Sequence, residues 1–136
     1  MLDTKLSDTA GEPAKGGAPD GVQILCGDWW EDGWASPYIR ARFPAGMPQA
    51  RLVVRAFNPA AAAQKNSLIV RLGNSLFWRS ERMPPESVIE LDQPLPEPHL
   101  SGEFCDISLR AERDWRPSGG DDRCLGFVLI DWRLET

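Results

Sequence analysis

The chain has 136 residues, the size of one ordinary domain, and 42% of them are hydrophobic, near the norm for globular proteins. Its formal net charge is −5 and its arginines are scattered among acidic residues, so we expect no nucleic-acid partner, which would need a clustered basic face. No stretch approaches the roughly 18 apolar residues that span a membrane, and the first residues lack an export signal, so we expect a cytoplasmic protein without membrane insertion.

Residues 1–20 are polar and rich in Ala, Gly, Pro and Asp, which predicts a flexible arm or a linker. From residue 21 onward, apolar runs recur about every 10 to 18 residues and are bounded by Gly, Pro, Asn or Asp. This rhythm is typical of a sandwich or barrel. We therefore predict that residues 21–136 form a single β-sandwich domain.

The first three predicted strands are 22–26, 39–43 and 52–57. In the second of them, three apolar side chains alternate with Arg40 and Arg42, which is the period of a strand with one face in water. The third strand ends before Asn58-Pro59. The alanine run that follows, 60–65, is too short for a stable helix and predicts one helical turn in a loop.

The middle of the chain predicts a hairpin. Strands 68–72 and 76–78 flank Gly73-Asn74, which supplies the positive φ values of a tight turn. Residues 88–91 predict another short strand. The proline-rich run 94–98 predicts an irregular crossing or a sheet edge, because proline cannot donate a ladder hydrogen bond.

Two strands close the chain. Residues 105–111 alternate between apolar and polar side chains, and 124–134 contain a stretch, 127–130, that is apolar on both faces. Such a strand is central in its sheet or covered by another element. Seven or eight antiparallel strands of this kind predict an all-β, jelly-roll-like sandwich.

Two segments resemble a known family. Asp121-Asp122-Arg123-Cys124-Leu125-Gly126 precedes the last strand, and Gly33-Trp34 stands early in the domain. Both are similar to segments of the small β-sandwich domains that accompany bacterial glycosyltransferases and cell-surface polysaccharide assembly proteins. The similarity covers about residues 22–135. It implies a non-catalytic partner of sugar-polymer chemistry and supplies no ligand.

The six tryptophans are the second clue to function. An indole face stacks on the C–H face of a pyranose, while neighbouring Asp or Arg groups bind its hydroxyls. Adjacent Trp29 and Trp30 must point in opposite directions if the segment is extended. The candidate ligand-binding residues are Trp29, Trp30, Trp34, Tyr38, Trp115, Asp121 and Arg123.

A structural role is the alternative for each of these residues. Trp34 and Trp115 would close the ends of the sandwich, while Trp78 and Trp132 would lie in the core. A carboxylate and a guanidinium at 121 and 123 would brace the last loop through hydrogen bonds to its backbone or by stacking on an indole. Gly126 would permit a close backbone approach.

The sequence does not predict an enzyme. The single histidine, His99, has no second imidazole near it and is interpreted as a solvated loop residue, and no nucleophile motif is present. Asp28, Glu31 and Asp32 match no calcium-loop spacing, so we expect no metal and no cofactor. Cys26, Cys105 and Cys124 lack CxxC spacing and predict reduced, mostly buried thiols, with one disulfide and a spare thiol as the alternative.

Two functions follow as hypotheses. The first is a non-catalytic accessory domain that binds a glycan or a glycosyltransferase module during surface-polysaccharide synthesis. The second is a structural or protein-interaction domain whose apolar last strand and exposed aromatic side chains form a homo-oligomer interface.

Overall fold

The computed structural model describes residues 18–46, 49–99 and 102–135, and for His99 the backbone alone. Within this part of the chain, eight strands account for nearly all regular structure, together with two single 3₁₀ turns at Ala60–Ala62 and Glu97–His99. The strands are β1 (Gln23–Cys26), β2 (Tyr38–Pro44), β3 (Arg51–Asn58), β4 (Leu68–Leu72), β5 (Ser75–Arg79), β6 (Ser87–Pro94), β7 (Phe104–Ala111) and β8 (Val128–Glu135).

The strands form two antiparallel sheets. One has five strands in the order β1-β2-β7-β4-β5, and the other has three in the order β6-β3-β8. From β2 to β8 the chain changes sheet at every connection except the β4–β5 hairpin. This repeated crossing is typical of a jelly roll. The predicted all-β, antiparallel sandwich is confirmed.

The core lies between the sheets and follows from the alternation along each strand. In β2, the side chains of Ile39, Ala41 and Phe43 are buried, and the intervening arginines are not. Trp132 of β8 is 1% exposed, and its ring lies 5.2 Å from that of Phe43 in the opposite sheet. The prediction that Trp132 belongs to the core is confirmed. Trp78 packs against the core and stays partly buried.

The predicted hairpin and the predicted single turn are both confirmed. Gly73 has a φ of 58° between β4 and β5, a conformation that glycine adopts without strain. The turn at Ala60–Ala62 ends at Ala63, whose φ is 56°. The proline-rich run also lies at a sheet edge as predicted, since β6 ends at Pro94 on the outside of the three-stranded sheet.

The prediction that the last strand starts at residue 124 is wrong. The backbone N–H of Leu125 donates to the carbonyl oxygen of Trp115 (2.9 Å), and that of Gly126 donates to the oxygen of Ala35 (2.9 Å). These groups therefore bind loop backbone instead of β3. Pairing with β3 begins at Val128.

The last strand is also not central in its sheet. β8 is the edge strand of the three-stranded sheet, and Ile130 is 36% exposed where the register with β3 shifts. The loop before β2 covers only its beginning, where the N–H of Leu129 donates to the oxygen of Gly33 (2.8 Å). An apolar side chain at a bulge can thus face water although the sequence pattern suggests burial on both sides.

The predicted burial of the three thiols is only partly correct. All three cysteines are free, but Cys105 alone is buried, whereas Cys26 is exposed and Cys124 half-buried. Cys26 faces water because β1 is the edge strand of the five-stranded sheet. Residues 1–17 of the predicted arm lie outside the described residues. In the described part of the chain no helix is long and apolar enough to cross a membrane.

Candidate functional site

Most of the candidate residues meet where two loops touch at one end of the sandwich. The first loop, 27–37, connects β1 to β2. The second, 112–127, connects β7 to β8. Gly33, with a φ of 94°, turns the first loop, and the N–H of Trp30 donates to the oxygen of Trp34 (2.8 Å). Paired hydrogen bonds between Trp115 and Leu125 hold the second.

Arg123 joins the two loops, and we call Asp32, Asp121 and Arg123 the arginine clamp. The Nη2 atom of Arg123 lies 2.8 Å from Oδ2 of Asp121 and 3.0 Å from Oδ2 of Asp32. Its Nε atom donates to Oδ1 of Asp121 (3.0 Å), and so does its backbone N–H (3.0 Å). Asp32 also accepts the N–H of Trp34 (3.2 Å). The clamp therefore braces both loops, which is the structural role considered above.

The clamp changes the acidity of its own groups. A hydrogen bond from the Arg123 side chain is the main cause that lowers the pKa of Asp32, and partial burial opposes it. The same side chain, followed by the Arg123 backbone N–H, lowers the pKa of Asp121. Both carboxylates raise the pKa of Arg123 in turn. All three groups are charged at neutral pH, and the clamp has one more negative than positive charge.

Trp29 and Trp30 point in opposite directions, as predicted. Trp30 lies under the guanidinium of Arg123, with 4.9 Å from Cζ to the ring centroid. Trp29 packs instead against the core, and its ring lies 6.4 Å from that of Trp132. Trp30 thus lies beside the clamp, and Trp29 anchors the first loop to the core.

Trp34 and Trp115 pack against each other. Their ring centroids are 5.2 Å apart in an edge-to-face arrangement, and both residues are half-buried. This contact links the same two loops as the clamp does. The alternative that these two indoles close the ends of the sandwich is thus correct in kind, but both lie at the same end.

Tyr38 lies apart from this group, at the start of β2. Its ring carries the guanidinium of Arg110, with 4.6 Å from Cζ to the centroid. The structure therefore brings five of the seven candidates together at the loop end, where Asp32, which was not among the seven, contacts Arg123 and Trp34. They are Trp30, Trp34, Trp115, Asp121 and Arg123.

The outer face of the five-stranded sheet carries a group of arginines that the sequence reasoning missed. They occupy the water-facing positions of four different strands, and we call them the arginine face. The arginine face consists of Arg40 and Arg42 of β2, Arg71 of β4, Arg79 of β5 and Arg110 of β7. Along the chain these residues are scattered, as noted above, but strand pairing collects them on one surface. The sequence held one signal for four of them, because Arg40, Arg42, Arg71 and Arg110 lie at alternating, water-facing positions of the predicted strands.

One carboxylate stands within the arginine face. Asp106 accepts two hydrogen bonds from Arg42 (Nε to Oδ1, 2.8 Å; Nη2 to Oδ2, 3.0 Å) and one from Arg40 (2.9 Å). The bonds from Arg42 and then Arg40 lower the pKa of Asp106, against the effect of partial burial. One negative charge is thus shared by two guanidinium groups.

The outer face of the three-stranded sheet is different, because each of its arginines is paired with at least one carboxylate. Arg51 pairs with Asp92 (2.8 Å) and Arg55 with Glu90 (2.8 Å) across the β3–β6 ladder. Arg133 contacts both Asp131 and Glu135. Of the two outer sheet faces, that of the five-stranded sheet is therefore the one with an excess of positive charge among the described residues.

An open recess of about 510 Å³ adjoins the arginine face. Its lining includes Arg42, Gly73, Phe104 and Asp106. The ring of Phe104 is 56% exposed, and the guanidinium of Arg42 lies 5.8 Å from its centroid. The recess has the size of an ordinary small-ligand site.

Within the described residues, no group of three or more His, Cys, Asp or Glu side chains could hold a metal ion. The side chain of His99 lies outside the described part of the chain. Compared with protein-family models, curated proteins and solved structures, the chain gives no match. The resemblance to glycosyltransferase-associated domains therefore stays a prediction.

Proposed function

We propose that the protein is a non-catalytic accessory domain that binds carbohydrate through its loop end, in the context of bacterial surface-polysaccharide synthesis. The observation that carries this proposal is the position of Trp30 beside the arginine clamp. The polysaccharide context rests on the family resemblance of the two loop segments.

The chemistry of the loop end suits a sugar. The side chains of Asp32 and Asp121 are 49% and 33% exposed, so carboxylate lone pairs remain accessible to hydroxyl donors. Trp30 supplies an apolar ring within reach of the same ligand, and the guanidinium of Arg123 already fixes the ring and both carboxylates in position. A site arranged in advance loses little conformational entropy on binding.

The test is titration calorimetry and tryptophan fluorescence with a panel of neutral oligosaccharides. We expect at least one saccharide to bind the wild-type protein, and Trp30→Ala to weaken it by about tenfold, since a stacking contact contributes roughly 1 kcal/mol or more. Val88→Ala is the control, because Val88 is exposed on β6, a strand that neither loop connects. Absence of any binding at millimolar saccharide, or equal binding by the two variants, would contradict the proposal.

The second candidate is a protein-interaction domain, with a glycosyltransferase module or a second copy of the chain as partner. It is favoured by the three-stranded sheet, where β6 and β8 are both edge strands and carry the exposed side chains Val88 and Ile130. Exposed edges and apolar side chains are where sheets associate. Light scattering over a roughly 100-fold range of protein concentration tests self-association. A molar mass that stays at the value of one chain over this range would exclude it.

A further inference from the structure

We infer that the arginine face binds a short acidic saccharide, one that carries carboxylate or phosphate groups, at a site separate from the loop end. This inference rests on the proposed function for its choice of carbohydrate as the ligand class. It adds to that function a second site and a preference for anionic sugars.

The first argument is charge. Three members of the arginine face, Arg71, Arg79 and Arg110, have no acidic partner within the described part of the chain. Asp106 offsets only one of the remaining two arginines. A guanidinium without a carboxylate keeps its fork of N–H donors free for an anionic oxygen, and such charge-assisted bonds are the strong ones.

The second argument is spacing. Arg40 and Arg71 both pair in register with Ser108, so the three residues form a row across β2, β7 and β4. Neighbouring strands are about 4.8 Å apart, which puts the backbone positions of the two arginines roughly 10 Å from each other. Ser108 between them is small and buried, so the charged groups of the row are at its two ends. That span is about the length of a disaccharide.

A second row runs parallel to the first. Tyr38, Arg110, Ile69 and Arg79 are register partners across β2, β7, β4 and β5. The row has two more guanidinium groups, and Tyr38 supports one of them from below. An extended anionic chain that crosses the strands could therefore meet cationic groups at regular intervals.

The third argument is the adjoining recess. It is lined by exposed Phe104 and by Arg42, which shares the carboxylate of Asp106 with Arg40, so it places an apolar face beside a cation that is only partly neutralised. Pyranose rings need such a combination when they carry an acidic group. A neutral sugar can accept hydrogen bonds from these arginines, but it lacks the stronger charge-assisted bonds that a carboxylate or phosphate forms.

The charge of the whole chain favours a short saccharide over a long polyanion such as nucleic acid. The net charge of the whole chain is −5. Because this sum includes the positive arginine face, the rest of the protein must be more negative than −5. Screening limits these interactions to about 8 Å in physiological salt. A ligand confined to the face, about 20 Å wide across five strands, meets only the arginines, whereas a longer polyanion would also meet the acidic surroundings.

The experiment compares an acidic tetrasaccharide of uronic acids with the same tetrasaccharide after reduction of its carboxyl groups to alcohols, by titration calorimetry. The face variant is the double substitution Arg71→Gln with Arg110→Gln. Its matched control is Arg51→Gln with Arg55→Gln, which removes the same charge from the opposite sheet. A single-stranded DNA hexamer is the competing ligand.

We expect the acidic form to bind at least tenfold more tightly than the reduced form. The face variant should lose about tenfold or more of that affinity, because hydrogen bonds to charged groups are lost, and the control should lose less than about threefold. Circular dichroism checks that each variant is folded. If the double variant fails to fold, Arg79→Gln at the exposed end of β5 replaces it with the same expected direction.

Cys26 gives an independent readout, because its exposed thiol pairs in register with Arg40 at the margin of the face. The acidic tetrasaccharide should slow its modification by a maleimide, and Trp30→Ala should leave this protection unchanged. The inference is overturned if the reduced form slows this modification equally well, if face and control variants lose the same affinity, or if the DNA hexamer binds more tightly. None of these results affects binding of neutral saccharides at the loop end, so the two proposals fail separately.

Discussion

Gly126 lies against Pro37 so closely that a Cβ atom on Gly126 would stand 3.0 Å from the Cα atom of Pro37. The same Cβ would be 3.1 Å from the Cβ of Ala111 and 3.3 Å from the carbonyl oxygen of Ser36. Two of these three neighbours are backbone atoms, which cannot move aside as a flexible side chain would. This contact fixes the loop before β8 against the loop before β2, and it explains the glycine that follows Leu125.

Substitution Gly126→Ala should lower the free energy of unfolding by about 1–3 kcal/mol, the range for an overpacked buried site. Urea denaturation measures the loss. Gly102→Ala is the control, because its Cβ would meet no atom of the described residues closer than 3.8 Å and should change stability by less than about 0.5 kcal/mol. Equal values for the two variants would mean that the loops can separate without cost.

The different positions of Trp132, in the core, and Trp30, beside the arginine clamp, predict different losses of stability. Trp132→Ala should cost about 3–5 kcal/mol of unfolding free energy, because the indole fills the space between the sheets. Trp30→Ala should cost only about 1 kcal/mol, mainly the cation–π contact with Arg123. Thermal or urea unfolding monitored by far-UV circular dichroism compares them. A larger loss for Trp30 would contradict the described packing.

Much of the fold could be predicted because strand alternation is local. The burial of Ile39, Ala41 and Phe43 follows from a period of two, and so does the divergence of Trp29 and Trp30. The turn at Gly73 is equally local, since it depends on the φ value of one residue.

The features that could not be predicted depend on contacts between residues that are far apart along the chain. The start of β8 is set by where Leu125 and Gly126 find their backbone hydrogen bonds, on Trp115 and Ala35. The arginine face depends on the lateral order of four strands, which no local pattern contains. For the same reason Asp32 was not among the candidate ligand-binding residues, because its contact with Arg123 joins residues 91 positions apart.

The arginine clamp predicts a pH dependence. The pKa values of Asp32 and Asp121 are lowered in the folded protein, so the clamp contributes its full stability above their ordinary pKa of about 3.9 and loses it as the pH falls through the lower folded values. The difference in stability between wild type and Arg123→Gln should therefore be largest at neutral pH and should shrink between about pH 4 and pH 2.

Urea midpoints at several pH values measure this difference. Arg116→Gln is the control in the same loop, because the Nη1 atom of Arg116 donates to the backbone oxygen of Asp122 (3.1 Å) and not to a carboxylate. Its effect should not follow the titration of Asp32 and Asp121. A pH-independent effect of Arg123→Gln would show that the ion pairs of the clamp do not stabilise the fold.

The three thiols should react at different rates. Cys26 is exposed on the edge strand, Cys124 is half-buried, and Cys105 lies in the core. Burial raises the pKa of the Cys105 thiol, and the negative charge of Asp106 adds to this; burial and then a hydrogen bond to Asp114 raise that of Cys124. Because the thiolate is the reactive form, maleimide at neutral pH should label Cys26 first, Cys124 more slowly and Cys105 only on unfolding.

Peptide mass spectrometry after timed labelling resolves the three sites, and Cys26→Ser is the matched variant that should remove the fast phase alone. Labelling of Cys105 should follow the unfolding transition in urea, since it is separated from water by the packed sheets. If Cys105 reacted as fast as Cys26 in the native protein, the strand β7 would have to open without global unfolding. That result would mean that the five-stranded sheet is not rigid, although the spacing of the arginine face depends on its rigidity.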